Sequence, residues 1–260
     1  MLFLMMIFGA VFGSFCGVLN SRAGSKESAF SGRSRCDSCQ KKLKAWQLVP
    51  IFSFLFLRGR CAFCGEFIPK VNLLFELCGV VFGALAWVRV FGEFSEFGGF
   101  FSGEIFRALV LCMMLNLLFT LSVIDWRFSA VPQSVLLFVF GFSLLFGGEV
   151  KWAFVFVGAF FVLKMCVSAW LCRSRSGETL ESMGEADVVV FGLFGAVFGA
   201  SGVVAVFVAA LVQLVFHVAF RKRELPFVPA LCVAFLVVLF FEKEVAGFLN
   251  LDILEKFISF

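Results

Sequence analysis

Apolar residues in this chain come in long blocks with no polar face, separated by short charged or glycine-rich breaks. The blocks run over residues 1–19, 71–91, 105–124, 134–146, 152–171, 188–220 and 227–241. A helix that is apolar all round is buried in a large core or in a membrane, and roughly 20 such residues cross a bilayer. The block 188–220 has 33 residues, too many for one ordinary span, and Gly199 to Gly202 is the natural place to divide it. The pattern therefore predicts an all-α polytopic membrane protein of about eight transmembrane helices. Block 1–19 lacks the basic start and small-residue cleavage site of a signal peptide, so it reads as a retained first helix.

Composition agrees: 62% of residues are hydrophobic and 15% charged, which leaves no room for a soluble surface of ordinary size. The arrangement of charge adds orientation. Residues 20–70 carry ten Lys/Arg against Glu27, Asp37 and Glu66, and basic loops stay on the cytoplasmic side. Residues 92–104 carry three Glu and no Lys or Arg, as a loop on the far side can. Arg173, Arg175 and the run Arg221-Lys222-Arg223 mark two further cytoplasmic loops. With eight crossings both termini lie outside. Trp87, Trp126, Trp152 and Trp170 fall near span ends, where interfacial tryptophans collect. The layout is a first helix (1–19), a cytoplasmic loop domain (20–70), a membrane core (71–241) and a tail (242–260). No nucleic-acid-binding module is present in the pattern.

Two groups of residues carry chemistry. The loop domain contains Cys36-Asp-Ser-Cys39 and Cys61-Ala-Phe-Cys64, with 21 residues between the pairs. Two CxxC knuckles at such spacing suit a tetrahedral structural zinc, because each knuckle brings two thiolates to one soft metal. A cytoplasmic loop argues against disulfides, and four thiolates leave no open position for catalysis at the metal. Gly65 follows the second knuckle, where a tight turn is needed. Cys16, Cys78, Cys112, Cys166, Cys172 and Cys232 lie in or beside apolar blocks and read as small core residues. The second group is acidic. Asp125 and Asp187 are two of only four aspartates; one closes an apolar block and the other opens one. Ionisable residues at such places mark functional sites, and the charge-derived topology puts both at the cytoplasmic face on different helices.

The order of short motifs resembles the type IV prepilin peptidase family of membrane aspartic proteases. It includes Gly13-Ser14-Phe15, the cysteine knuckles, Leu57-Arg58-Gly59-Arg60-Cys61, Glu76, and Asp125 with Pro132 seven residues on. Gly184-Glu185-Ala186-Asp187 stands where the family has GxGD, and Pro226-Phe227-Val228-Pro229 where it has PFGP. This chain departs from the family at Ala186, at Val228, and at Val189, where a lysine is usual. The resemblance implies cleavage of the leader peptide of type IV prepilins or pseudopilins at the cytoplasmic face of the bacterial inner membrane, serving pili, secretion or DNA uptake. It also implies N-methylation of the new terminus with S-adenosylmethionine. Glu76 is the candidate for holding that cofactor; snorkelling to the interface is the alternative. The partners expected are prepilin-like substrates and membrane lipid.

Two adjacent carboxylates cannot both ionise easily, so one activates water while the other polarises the scissile carbonyl and later donates to the leaving amine. Asp187 opens a predicted helix and Asp125 closes one, so the macrodipole argument makes Asp187 the ionised member. Glu178, Glu181 and Glu185 could receive a basic leader, or form an ordinary solvated loop. Lys164 either snorkels or pairs with a carboxylate. His217 reads as an interfacial or packed residue. The glycines at 192, 195, 199 and 202 favour close helix packing. Two rivals remain at this level: a proton-coupled transporter using the two aspartates, and a non-catalytic homologue, for which Ala186 and Val189 are the arguments. The sequence does not set the oligomeric state.

Overall fold

The computed structural model describes residues 1–23, 34–36, 38–92, 101–174, 184–220 and 225–248. Among them the secondary structure is helical: α1 Leu2–Arg22, α2 Phe52–Phe56, α3 Lys70–Phe91, α4 Phe101–Phe128, α5 Gln133–Gly147, α6 Val150–Ser174, α7 Glu185–Phe198, α8 Gly202–Phe220 and α9 Val228–Phe248. Among the described residues, pairing between extended residues is limited to two isolated bridges in the cysteine loop, Arg35 with Lys42 and Arg60 with Phe67.

Five segments are long and apolar enough to cross a membrane: Leu2–Arg22, Lys70–Phe91, Gly103–Phe128, Val150–Trp170 and the 36-residue Glu185–Phe220. Gln133–Gly147 and Val228–Phe241 are apolar but shorter. The protein is a multi-pass membrane protein. The division expected near Gly199 is present as a helix break. A single 3₁₀ turn, Gly199–Ser201, separates α7 from α8, and Gly199 adopts φ 60°, ψ −134°, a conformation suited to a residue without Cβ. At the other end, α9 passes a kink at Phe241 (φ −122°, ψ 23°) and continues to Phe248. The expected tail from residue 242 therefore begins as helix, and residues 249–260 lie outside the described residues.

The chain divides into two compact units inside α4, Met1–Thr120 and Leu121–Phe260. In the first, α1 and α3 meet backbone to backbone. A Cβ on Gly9 would collide with the Gly79 carbonyl oxygen, one on Gly13 with that of Phe75, and one on Gly83 with that of Met5. Gly9/Gly13 and Gly79/Gly83 are the small-xxx-small pattern that lets membrane helices approach closely. Phe75 and Phe82 of α3 set their rings edge-on to Phe119 of α4, at 5.2 and 5.8 Å. Two polar residues buried in α4 bond within the helix: Asn116 Nδ2 donates to the Cys112 carbonyl at 2.9 Å, and Thr120 Oγ1 to that of Asn116 at 2.7 Å.

In the second unit α7 is the central helix. Gly192 abuts Val157 of α6 and Phe140 of α5, and Gly195 abuts the Trp152 carbonyl of α6. Aromatic rings join α7 to α6 again and to α9. Phe191 stacks on Phe160 at 3.8 Å, and Phe194 and Phe198 meet Phe235 of α9 at 6.2 and 5.3 Å. The small face and the aromatic face of α7 together fix its position, and with it the residue at its first turn, Asp187.

Candidate active site

Asp187 is the third residue of α7. Its carboxylate turns back to accept the backbone N–H of Gly184 at 3.2 Å, which satisfies one of the donors every helix leaves unpaired at its start. Gly184 is well suited to this place, since a Cβ there would stand 3.3 Å from the Asp187 Oδ2. Ala186, the departure from GxGD, lies in ordinary right-handed helix. A residue at such a position needs no glycine.

Asp125 lies within the last turn of α4, which continues to Phe128, and is only 8% exposed. Its Oδ2 accepts the backbone N–H of Val228, the first residue of α9, at 3.3 Å. That amide is delivered by Phe227, whose ring packs on Phe191 of α7 at 5.9 Å. The segment Pro226–Pro229 thus joins α7 to Asp125 through one ring and one N–H. Sequence reasoning quoted this segment without finding its role, because a backbone donor carries no side-chain signature.

The two aspartates lie within electrostatic reach of each other, and Lys164 of α6 is within reach of Asp187. Val189, two residues after Asp187, carries no charge, and Lys164 on the neighbouring helix is a cation near Asp187. Cys232, one turn along α9 from Val228, is buried within electrostatic reach of Asp125 and interacts with Ser122 of α4. The helix-end placement expected of both aspartates is present, but a second helix start offsets it at Asp125. Asp125 faces the start of α9 as well as the end of α4, so the macrodipole separates the two less than the sequence implies. Glu185 is exposed at the first position of α7, while Glu178 and Glu181 lie outside the described residues. His217 sits exposed in the last turn of α8.

The four patterned cysteines also converge. Their sulfurs all lie within 4.8 Å of one another, and Cys36 Sγ to Cys64 Sγ is 3.8 Å. Four sulfurs at about 2.3 Å from one tetrahedral ion would be about 3.8 Å apart, so the set fits a single metal ion. The two knuckles share one backbone design. The N–H of Gln40 donates to the Cys36 carbonyl at 2.9 Å and that of Gly65 to the Cys61 carbonyl at 2.9 Å. Both residues have positive φ, 56° and 72°. Backbone N–H groups of Cys64 and Phe63 draw the Cys61 thiol down to about 7. At Cys64 the Glu66 amide favours the thiolate, yet desolvation and the sulfurs of Cys61, Cys39 and Cys36 push it up to about 11.

Glu76 is buried at 8% exposure, and both its oxygens have partners inside the first unit. Ser14 Oγ donates to Oε1 at 2.9 Å and the Ile51 backbone N–H to Oε2 at 2.7 Å.

Comparison with known proteins agrees with this picture. Residues 7–90 match the bacterial peptidase A24 N-terminal domain, and residues 109–219 match the type IV leader peptidase family. A prepilin leader peptidase/N-methyltransferase of Bacillus subtilis is 27% identical over 261 residues, covering 95% of this chain and 97% of that protein. Proteins of the same description from Neisseria gonorrhoeae and Burkholderia pseudomallei are 32% identical over 213 residues and 31% identical over 222. These two alignments cover 77% and 80% of this chain, and 68% and 67% of those proteins. No solved structure matches the chain. The transporter reading gives way, and the chain belongs to the type IV leader peptidase family as a protease.

Proposed function

We propose that this protein cleaves the leader peptide from type IV prepilins or pseudopilins at the cytoplasmic face of the inner membrane, with Asp125 and Asp187 as the catalytic pair. The observation that carries the reading is the convergence of two carboxylates from α4 and α7, each held by a backbone N–H at a helix start. The pair shares one proton. The ionised carboxylate draws a proton from water as it attacks the scissile carbonyl, and the protonated one hydrogen-bonds that carbonyl and later donates to the leaving amine. The two backbone donors hold each carboxylate by an oxygen that does not take part, leaving the other free for water and substrate. Glu185, exposed two residues before Asp187, with Glu178 and Glu181, receives the basic leader. The names of the relatives support methylation of the new N-terminus from S-adenosylmethionine as a second step. The cysteine set is read as a structural zinc site, since the donor chemistry and spacing suit that metal and leave no open position.

The test is co-expression with a prepilin. Asp125→Asn and Asp187→Asn each abolish leader removal while the protein remains in the membrane at normal level. Cleavage that survives both substitutions refutes the reading. Mass analysis of the processed pilin reads the methyl group separately.

A further inference from the structure

Between the two cysteine knuckles the chain presents exposed apolar side chains that none of the described residues of the first unit covers. The 3₁₀ turn Ala45–Leu48 leads through Pro50 into α2. Phe56 is 82% exposed, Phe52 74% and Leu55 64%, with Trp46, Leu48 and Val49 also exposed. Trp46 meets Phe56 edge-on at 6.2 Å, and Phe52, Leu55 and Phe56 share one face of α2 at i, i+3, i+4 spacing, so these four residues form one patch. A contiguous apolar patch marks an interaction surface, whereas scattered exposed hydrophobes do not.

The position of the patch identifies its partner. A five-residue helix does not hold itself in place, and α2 is held at Ile51. Its N–H is bonded to Glu76 at 2.7 Å, and the Phe52 N–H closes onto the Pro50 carbonyl at 2.6 Å. With φ 63° and ψ −53°, Ile51 is the centre of a γ-turn of the rarer, strained hand, in a region hostile to a β-branched side chain. Such a turn persists only where its surroundings impose it, and here Glu76, steadied by Ser14, does so. Glu76 lies six residues past Lys70, the first residue of α3, which is about 9 Å along the helix axis. Because Lys70–Phe91 is a candidate membrane span, the hydrogen bond holds Ile51 level with the second turn of that span. An interfacial helix buries its apolar face about 5–10 Å into the boundary between headgroups and acyl chains. The charges fit as well. Lys44 precedes the patch and Arg58 and Arg60 follow it, and residues 34–69 carry Arg35, Lys41, Lys42, Lys44, Arg58 and Arg60 against Asp37 and Glu66.

We propose that residues 45–60 are a monotopic membrane anchor. Phe52, Leu55 and Phe56 enter the acyl boundary of the protein's own membrane, Trp46 sits at headgroup level, and Lys44, Arg58 and Arg60 reach anionic phosphates. Glu76 is the latch that sets the depth, so the metal loop rides on the membrane surface. The occupant is lipid, because the patch is held at span depth and flanked by cations that match anionic headgroups. This does not depend on the peptidase reading.

The test places a photoreactive benzophenone amino acid at Phe52, at Phe56, or at Phe63 beside the cysteines, in the full chain in vesicles of equal parts phosphatidylethanolamine and phosphatidylglycerol. The expected result is phospholipid adducts at 52 and 56 about fivefold or more above those at 63. Yields equal at all three positions, or crosslinks mainly to a second copy or to an added prepilin, overturn the anchor. Glu76→Gln, with Ser14→Ala as the milder variant, should lower the adduct yield at 56. An unchanged yield in Ser14→Ala and in any Glu76→Gln protein that folds overturns the latch.

Discussion

Ala186 stands where the family motif has glycine, and its backbone decides how much that matters. The residue is the second of α7, in a right-handed conformation. The case for a non-catalytic homologue that rested on backbone strain at Ala186 therefore loses that ground. Ala186→Gly should lower stability by up to about 1 kcal/mol, as glycine does inside a helix, without raising the cleavage rate; thermal unfolding in detergent and a prepilin cleavage assay check both halves. Gln40 is the converse case. It holds the same positive-φ place in the first knuckle that Gly65 holds in the second. Gln40→Gly should stabilise the metal loop by about 0.5–1 kcal/mol, read as slower metal loss to a chelator. A Cβ on Gly65 meets nothing within 4 Å, so Gly65→Ala should weaken the loop by about 1 kcal/mol through conformation alone. The cysteines and aspartates were legible because their chemistry is written in residue identity. The N–H of Val228 was not, since every residue except proline offers one.

Helix starts, as elements, organise the proposed catalytic pair. The sequence displayed one such start at Asp187; the second, α9 facing Asp125, required knowing which helix approaches the end of α4. Val228→Pro tests it directly. Proline is tolerated at the first position of a helix but has no N–H to give. A hydrogen bond to a charged group is worth about 1.5–3 kcal/mol, so cleavage should fall roughly 10- to 100-fold. Membrane level should stay unchanged, and cleavage kinetics on the purified protein measure the loss. The glycines of α7 were read from their spacing and do face α5 and α6. The equivalent spacing at Gly9/Gly13 and Gly79/Gly83 is equally visible, but spacing alone does not say which helix a small face meets.

For the whole molecule, the apolar blocks prescribed helices reliably, while the number of crossings depends on three elements near the length limit: α5, α9 and the broken pair α7 and α8. The expectation of eight crossings places both termini outside and residues 20–70 inside. Alkaline phosphatase fused after Phe260 should then be active and a fusion within residues 20–33 inactive; an inactive C-terminal fusion would mean an odd number of crossings. What the sequence could not display was contact between distant segments, such as Ile51 with Glu76, for which no residue pattern exists. The backbone seam between α1 and α3 also shapes how the gene tolerates change. Every missense codon at positions 9, 13, 79 or 83 adds a Cβ where a carbonyl already stands. A random screen for loss of leader removal should therefore return these four glycines beside the two aspartates, forming a second cluster of intolerant codons set by crowding alone.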